Sequence, residues 1–128
     1  MQYFCSEFKT EHLLTMGLDA LADIEENWVP KLYALDPHKL MRGLEDTSIL
    51  TYGQMVLHGS LARKASSNYL NFHRIDYPAV DPPDWAKHVT VKQVAGKVVT
   101  GERPLDYYGD FVKEWEAHNP DYAGVYRQ

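Results

Sequence analysis

The stretch from Ser60 to Trp85, SLARKASSNYLNFHRIDYPAVDPPDW, limits the possible folds of this chain more than any other. It leaves an apolar helical pattern, passes a basic Arg63-Lys64 pair and enters an aromatic, proline-rich run. Pro78, Pro82 and Pro83 lack the N–H that a helix interior or a central strand needs, so the run is extended and bends at set points. His73-Arg74-Ile75-Asp76-Tyr77-Pro78 gathers base, acid, aromatic and rigid turn into six residues. Such a segment is poor material for a self-contained core and is suited to lying across another surface.

The flanking sequence has clearer periodicity. Residues 10–28 predict a helix, with Thr10 as N-cap and Glu11 in the first turn, where a negative charge suits the helix dipole. Leu14, Leu18, Leu21, Ile24 and Trp28 recur at three- and four-residue steps and form one apolar face. Pro30 ends or kinks this helix near Trp28, and residues 31–35 add at most one further turn. Asp36-Pro37 predicts a second helix, an N-cap acid followed by proline at the first helical position. Leu40, Met41 and Leu44 are its apolar side, and Glu45-Asp46-Thr47-Ser48 weakens it. Thr51-Tyr52-Gly53-Gln54 has capping-box spacing and predicts a third helix, apolar on more than one face through Leu57, Leu61 and Ala65. Gly53 and Gly59 within it mark close backbone approach.

The expected fold is mainly α. An up-and-down three-helix bundle over residues 1–67 precedes a second segment, residues 68–128. That segment begins as an extended arm over 68–87. Val89-Thr90-Val91 then alternates like a strand, Ala95-Gly96 is a turn, and Lys97–Thr100 returns as a second strand. Residues 106–118 read as a short terminal helix with Tyr107, Phe111, Trp115 and His118 on one face, and Asn119-Pro120 stops it.

Composition excludes several functions. The net charge of −5 argues against nucleic-acid binding, which rests on neutralising phosphates. No apolar run reaches the ~20 residues that span a bilayer, and the polar opening has no signal-peptide pattern. The expected compartment is the cytoplasm. The polar opening suits an internal segment of a longer protein equally well. The single Cys5 forms no intrachain disulfide and lies in a stretch expected to fray.

No two glycines lie closer than five positions, so there is neither a GxGxxG turn nor a P-loop. Six histidines, at 12, 38, 58, 73, 88 and 118, lack metal-ligand spacing. His73, Arg74 and Asp76 are the best proton-transfer candidates, yet nothing in the sequence places a pocket beside them. In an extended segment Arg74 and Asp76 share a face, which makes them an ion pair that holds the arm in register. Arg63-Lys64-Ala65-Ser66 is similar to a basophilic kinase site, but two cations near a helix C-terminus more simply complement its dipole.

Three stretches together resemble a known family. Asp36-Pro37-His38-Lys39-Leu40-Met41-Arg42 is similar to a DPHELMR motif that follows a first helix. Leu61-Ala62-Arg63-Lys64, then Arg74-Ile75-Asp76-Tyr77-Pro78, then Asp81-Pro82-Pro83-Asp84-Trp85, resemble the same family's arm, and Gly96-Lys97-Val98-Val99 its hairpin return. The family is that of the FAD-dependent flavoprotein subunits of succinate dehydrogenase and fumarate reductase, including the adenylylsulfate reductase alpha subunit. The resemblance is to their C-terminal domain and covers almost the whole chain.

The resemblance implies a spectrin-repeat-like bundle, with FAD-binding and capping domains upstream in the same polypeptide. It implies FAD in that parent and none bound by this segment, which is then inactive alone. No catalytic, cofactor-binding or metal-binding residue transfers to this chain. Arg63, Ser66, His73, Arg74, Asp76, Tyr77, Pro78 and Trp85 are instead expected at interdomain contacts. Family members often carry RxESRGxHxRxDxP, whereas here Ala65 stands at the Glu position, Ser67 at the Arg and Asn68 at the Gly. These departures lean toward the adenylylsulfate-reductase-like branch. Two other functions are weighed beside this one, a docking module for an iron–sulfur subunit and a small acid–base enzyme using His73 and Asp76.

Overall fold

In a computed structural model, which describes residues 3–105 and 109–118, two long helices form an antiparallel pair. Helix α1 spans Glu11–Asn27, and the Thr10 hydroxyl oxygen accepts from the Leu13 N–H at 3.2 Å, the cap that the sequence predicts. A single 3-10 turn at Val29–Lys31 follows, with Pro30 inside it. Helix α2 spans Pro37–Ala62, and the Asp36 carboxylate accepts from the Lys39 N–H at 2.8 Å.

The second and third helices expected from the sequence are therefore one helix of 26 residues. The weak stretch at 45–48 does not break it. Thr47 and Ser48 both donate their hydroxyls to the Leu44 carbonyl at 2.9 Å, and Thr51 donates to the Thr47 carbonyl at 3.1 Å. These hydroxyls turn back onto the preceding turn, which a helix interior tolerates. Thr51 is an interior residue and caps nothing.

At 1.5 Å per residue, α2 is about 39 Å long and α1 about 26 Å. Their near ends are aligned at Glu11 and Ala62, so the first turns of α2 overhang α1. Leu40, Met41 and Leu44 on that overhang are exposed, as are Leu32, Tyr33 and Leu35 in the connection. The core lies at the other end, where Leu14, Leu57 and Ala65 are buried. Gly17 permits that contact, because a Cβ there would lie 2.7 Å from the Phe4 Cβ and 3.1 Å from Leu57.

After α2 the chain turns back on itself. Ser67 and Phe72 exchange backbone hydrogen bonds at 2.7 and 3.0 Å around a tight turn that holds Asn71 at φ 47°. The arm then pairs with the N-terminal segment. Strand β1 (Phe8–Lys9) lies parallel to β2 (His73–Arg74), with Phe8 opposite His73 and Lys9 opposite Arg74. The opening expected to fray is thus held from Glu7 onward, and Cys5 Sγ sits 3.5 Å from Ser60 Oγ.

A 3-10 turn at Pro83–Trp85 leads into a hairpin of β3 (Lys87–Val94) and β4 (Lys97–Pro104). Its two-residue turn is Ala95-Gly96, with φ of 50° and 78°, the paired positive values that match strand twist in a tight hairpin. The hairpin leans on α2, where Val91 meets the position a Gly59 side chain would take. Helix α3 is Phe111–His118. Phe111 and Trp115 share a face there, while Tyr107 lies outside the described residues.

Candidate functional site

Arg74 organises the segment that the sequence singles out. Its guanidinium is fully buried, an unusual place for a charge, and every nitrogen has a partner. Nη1 donates to the carbonyls of Ser60 (2.7 Å), Arg63 (3.0 Å) and Leu61 (3.4 Å), all at the C-terminal end of α2. Nε donates to Asp76 Oδ1 at 2.7 Å and Nη2 to Asp76 Oδ2 at 2.6 Å, a two-pronged pair. Asp76 Oδ2 also accepts from the Glu11 N–H at 2.8 Å, the first residue of α1.

One ion pair therefore joins two opposite helix ends. The cation sits at the negative end of α2 and the anion at the positive end of α1, so each charge also complements a helix dipole. The carboxyl pKa of Asp76 is lowered from the ordinary 3.8 to about 2, chiefly by its hydrogen bonds to Arg74. The same-face pairing of Arg74 and Asp76 expected for an extended segment is present. Its role of holding two helices together was not readable, because no local signal ties residue 74 to residues 60 and 11.

Ser66 completes this clasp. Its buried hydroxyl accepts from the Arg74 N–H at 2.9 Å and donates to the Tyr77 carbonyl at 2.9 Å. The Arg74 guanidinium lies 4.9 Å from the centre of the Tyr77 ring. Lys9, missed by sequence reasoning, is buried beside it, with Nζ 4.5 Å over the Phe72 ring and donating to the Glu7 carbonyl. Burial draws its ammonium pKa below the usual lysine range.

His73 faces elsewhere. Its ring stacks on Phe8 at 5.2 Å, and Nε2 lies 3.6 Å from Glu7. It shares no hydrogen bond with Asp76 among the described residues, so the two do not form an acid–base pair. Pro78 is exposed. Arg63 is stacked between Phe72 and Trp85, its guanidinium carbon 6.0 and 5.8 Å from the two ring centres. Lys64 is exposed. The C-terminal carbonyls of α2 are met by the distant Arg74, whereas the sequence suggested the local cations.

The two helix N-termini are also filled, α1 by Asp76 and α2 by Asp36. A dinucleotide pyrophosphate uses the free N–H groups of such a terminus after a glycine-rich turn. With a carboxylate at each of these two ends and no such turn in the sequence, neither end is built as a pyrophosphate cradle. Among the described residues no group of three or more His, Cys, Asp and Glu is placed to hold a metal ion. No described helix is long and apolar enough to cross a membrane.

Two cavities flank these elements. One of about 370 Å3 on the α2 overhang is lined by Leu32, Tyr33, Leu40 and Leu44. Another of about 410 Å3 lies beside Arg63 and Trp85. A family described as fumarate reductase flavoprotein C-term matches residues 1–116. Neither the curated proteins nor the solved structures give a match to this chain. The family match spans helix pair, clasp, arm and hairpin in one piece, and on it the chain belongs to the fumarate reductase flavoprotein C-terminal family.

Proposed function

We propose that this chain is a non-catalytic interdomain module of an FAD-dependent oxidoreductase, packing against the FAD-binding part of the same polypeptide. The family is that of a flavoprotein, so FAD belongs to the parent. The observation that carries the reading is the imbalance between core and surface. Leu14, Leu57 and Ala65 are the only buried apolar side chains among the described residues, while Leu32, Tyr33, Leu40 and Leu44 are exposed together around one cavity. An apolar area of that kind is the mark of a surface that another body covers.

The clasp fits this role. It ties the start of α1 to the end of α2, so the two helices are presented as one unit. Ala65 is fully buried, which supports the adenylylsulfate-reductase-like branch, since a Glu at that position would carry a charge into the core.

Hydrogen exchange tests the reading. The isolated chain should purify without flavin, and amide exchange in residues 37–50 should slow when the chain is joined to the parent's FAD-binding part. Stoichiometric flavin on the isolated chain would overturn it, as would unchanged exchange in the joined protein.

A further inference from the structure

Arg63 contrasts with Arg74. Both are arginines of the same segment, yet Arg74 uses all its nitrogens and Arg63 has no hydrogen-bond acceptor among the described residues. Its Nε is buried and unpaired, a costly state for a group that carries charge. The guanidinium is held between Phe72 and Trp85 and lines the cavity of about 410 Å3. Other groups there are already engaged. Asp81 accepts from the Asn68 N–H at 3.1 Å, and Lys87 is paired with Glu102 at 2.7 Å.

The walls beside Arg63 are Tyr69, Leu70, Pro82, Trp85 and Leu105. Tyr69 is 92% exposed and Leu70 64%, on the turn that Ser67 and Asn71 stiffen. A rigid turn that holds two large apolar side chains in water beside an unpaired, ring-stacked arginine has the makeup of an interaction hot spot. A small acid would satisfy the arginine and leave Tyr69 and Leu70 uncovered. A polypeptide surface would cover all three.

We propose that this groove docks an Asp or Glu side chain flanked by apolar residues. The carboxylate supplies the two parallel acceptors a guanidinium edge takes, and the flanking residues cover Tyr69, Leu70 and Trp85. The inference rests on the interdomain reading, and the acidic segment belongs to the domain this module packs against. The favoured occupant follows from local charge, since Arg63 in the groove wall has a guanidinium nitrogen without an acceptor among the described residues, whereas Lys87 beside it is already paired.

The probe is acetyl-Leu-Glu-Leu-amide, titrated into the 128-residue chain, with acetyl-Leu-Gln-Leu-amide as its neutral match. The Trp85 indole N–H and the Arg63 Nε–H resonances report binding. The Glu peptide should shift both saturably and bind about tenfold or more tightly than the Gln peptide. Arg63→Gln should remove that preference and Arg63→Lys should keep part of it. No shift, equal binding of the two peptides, or an undiminished preference in Arg63→Gln would overturn the proposal. If Arg63→Gln does not fold, the two peptides on the unaltered chain still decide it. Shifts that depend on protein concentration without peptide would name a second copy of the chain as occupant and overturn the one proposed. Exchange in residues 37–50 of the joined protein reads the interdomain packing separately, so failure here is distinct from failure there.

Discussion

Replacing Asp76 with Asn keeps the side chain's shape and removes its charge. Both carboxylate oxygens accept hydrogen bonds, Oδ1 from Arg74 Nε and Oδ2 from Arg74 Nη2 and the Glu11 N–H. Whichever way the new amide turns, its NH2 faces a donor. At least one guanidinium bond is lost, and a fully buried cation is left with the carbonyls of Ser60, Leu61 and Arg63 and one neutral amide oxygen in place of a carboxylate. Breaking a buried pair costs about 3–5 kcal/mol, and the 28% exposure of the Asp76 side chain brings the expected cost to about 2 kcal/mol.

The pH dependence follows from the lowered carboxyl pKa. The fall from 3.8 to about 2 corresponds to about 2 kcal/mol before solvent screening and about 1 kcal/mol after it. The folded pKa lies below the unfolded one, so this stabilisation is complete above 3.8 and fades as pH falls toward 2. Urea unfolding followed by tryptophan fluorescence should place Asp76→Asn about 2 kcal/mol below the parent at neutral pH. The gap should narrow by about 1 kcal/mol between pH 4 and pH 2. A cost under about 0.5 kcal/mol, or a gap that stays constant down to pH 2, would refute the clasp as a stabilising element.

Two further outcomes test the packing. Ser66→Ala strips the hydroxyl that accepts from the Arg74 N–H and donates to the Tyr77 carbonyl, and urea unfolding should show a loss of about 1–3 kcal/mol. Gly17→Ala and Gly43→Ala make the same chemical change in helices with opposite expected signs. At Gly17 the new methyl meets Phe4 at 2.7 Å, and overpacking of about 1–3 kcal/mol exceeds the gain of about 1 kcal/mol in helix propensity. At Gly43 nothing lies within 4 Å, and the propensity gain should raise the melting temperature. Equal shifts for the two variants would contradict the close approach at Gly17.

Much of the chain's local structure was legible because its signals are local. Thr10 caps α1 and Asp36-Pro37 starts α2 through groups no more than three residues away. Ala95-Gly96 turns the hairpin because both residues take positive φ. The predicted break before Thr51 failed for the opposite reason. Weak propensity over 45–48 is a small local cost, and the observed helix runs through it. The clasp was half legible. The Arg74–Asp76 pairing follows from strand alternation, but its partners at residues 11 and 60–63 follow from the fold.

The sequence by itself determined where helices begin, where the chain must bend and which residues carry charge. Those choices depend on backbone geometry within a few residues. Only the tertiary structure decided that Arg74 is sealed between two helix ends while Arg63, beside a groove, finds no side-chain hydrogen-bond partner among the described residues. Both are arginines in one short segment, and nothing in their immediate neighbours separates them. The parallel pairing of residues 8–9 with 73–74 carries Arg74 under α2 and leaves Arg63 between two rings at the surface. Burial, set by that long-range contact, makes one arginine a structural joint and leaves the other lining a groove.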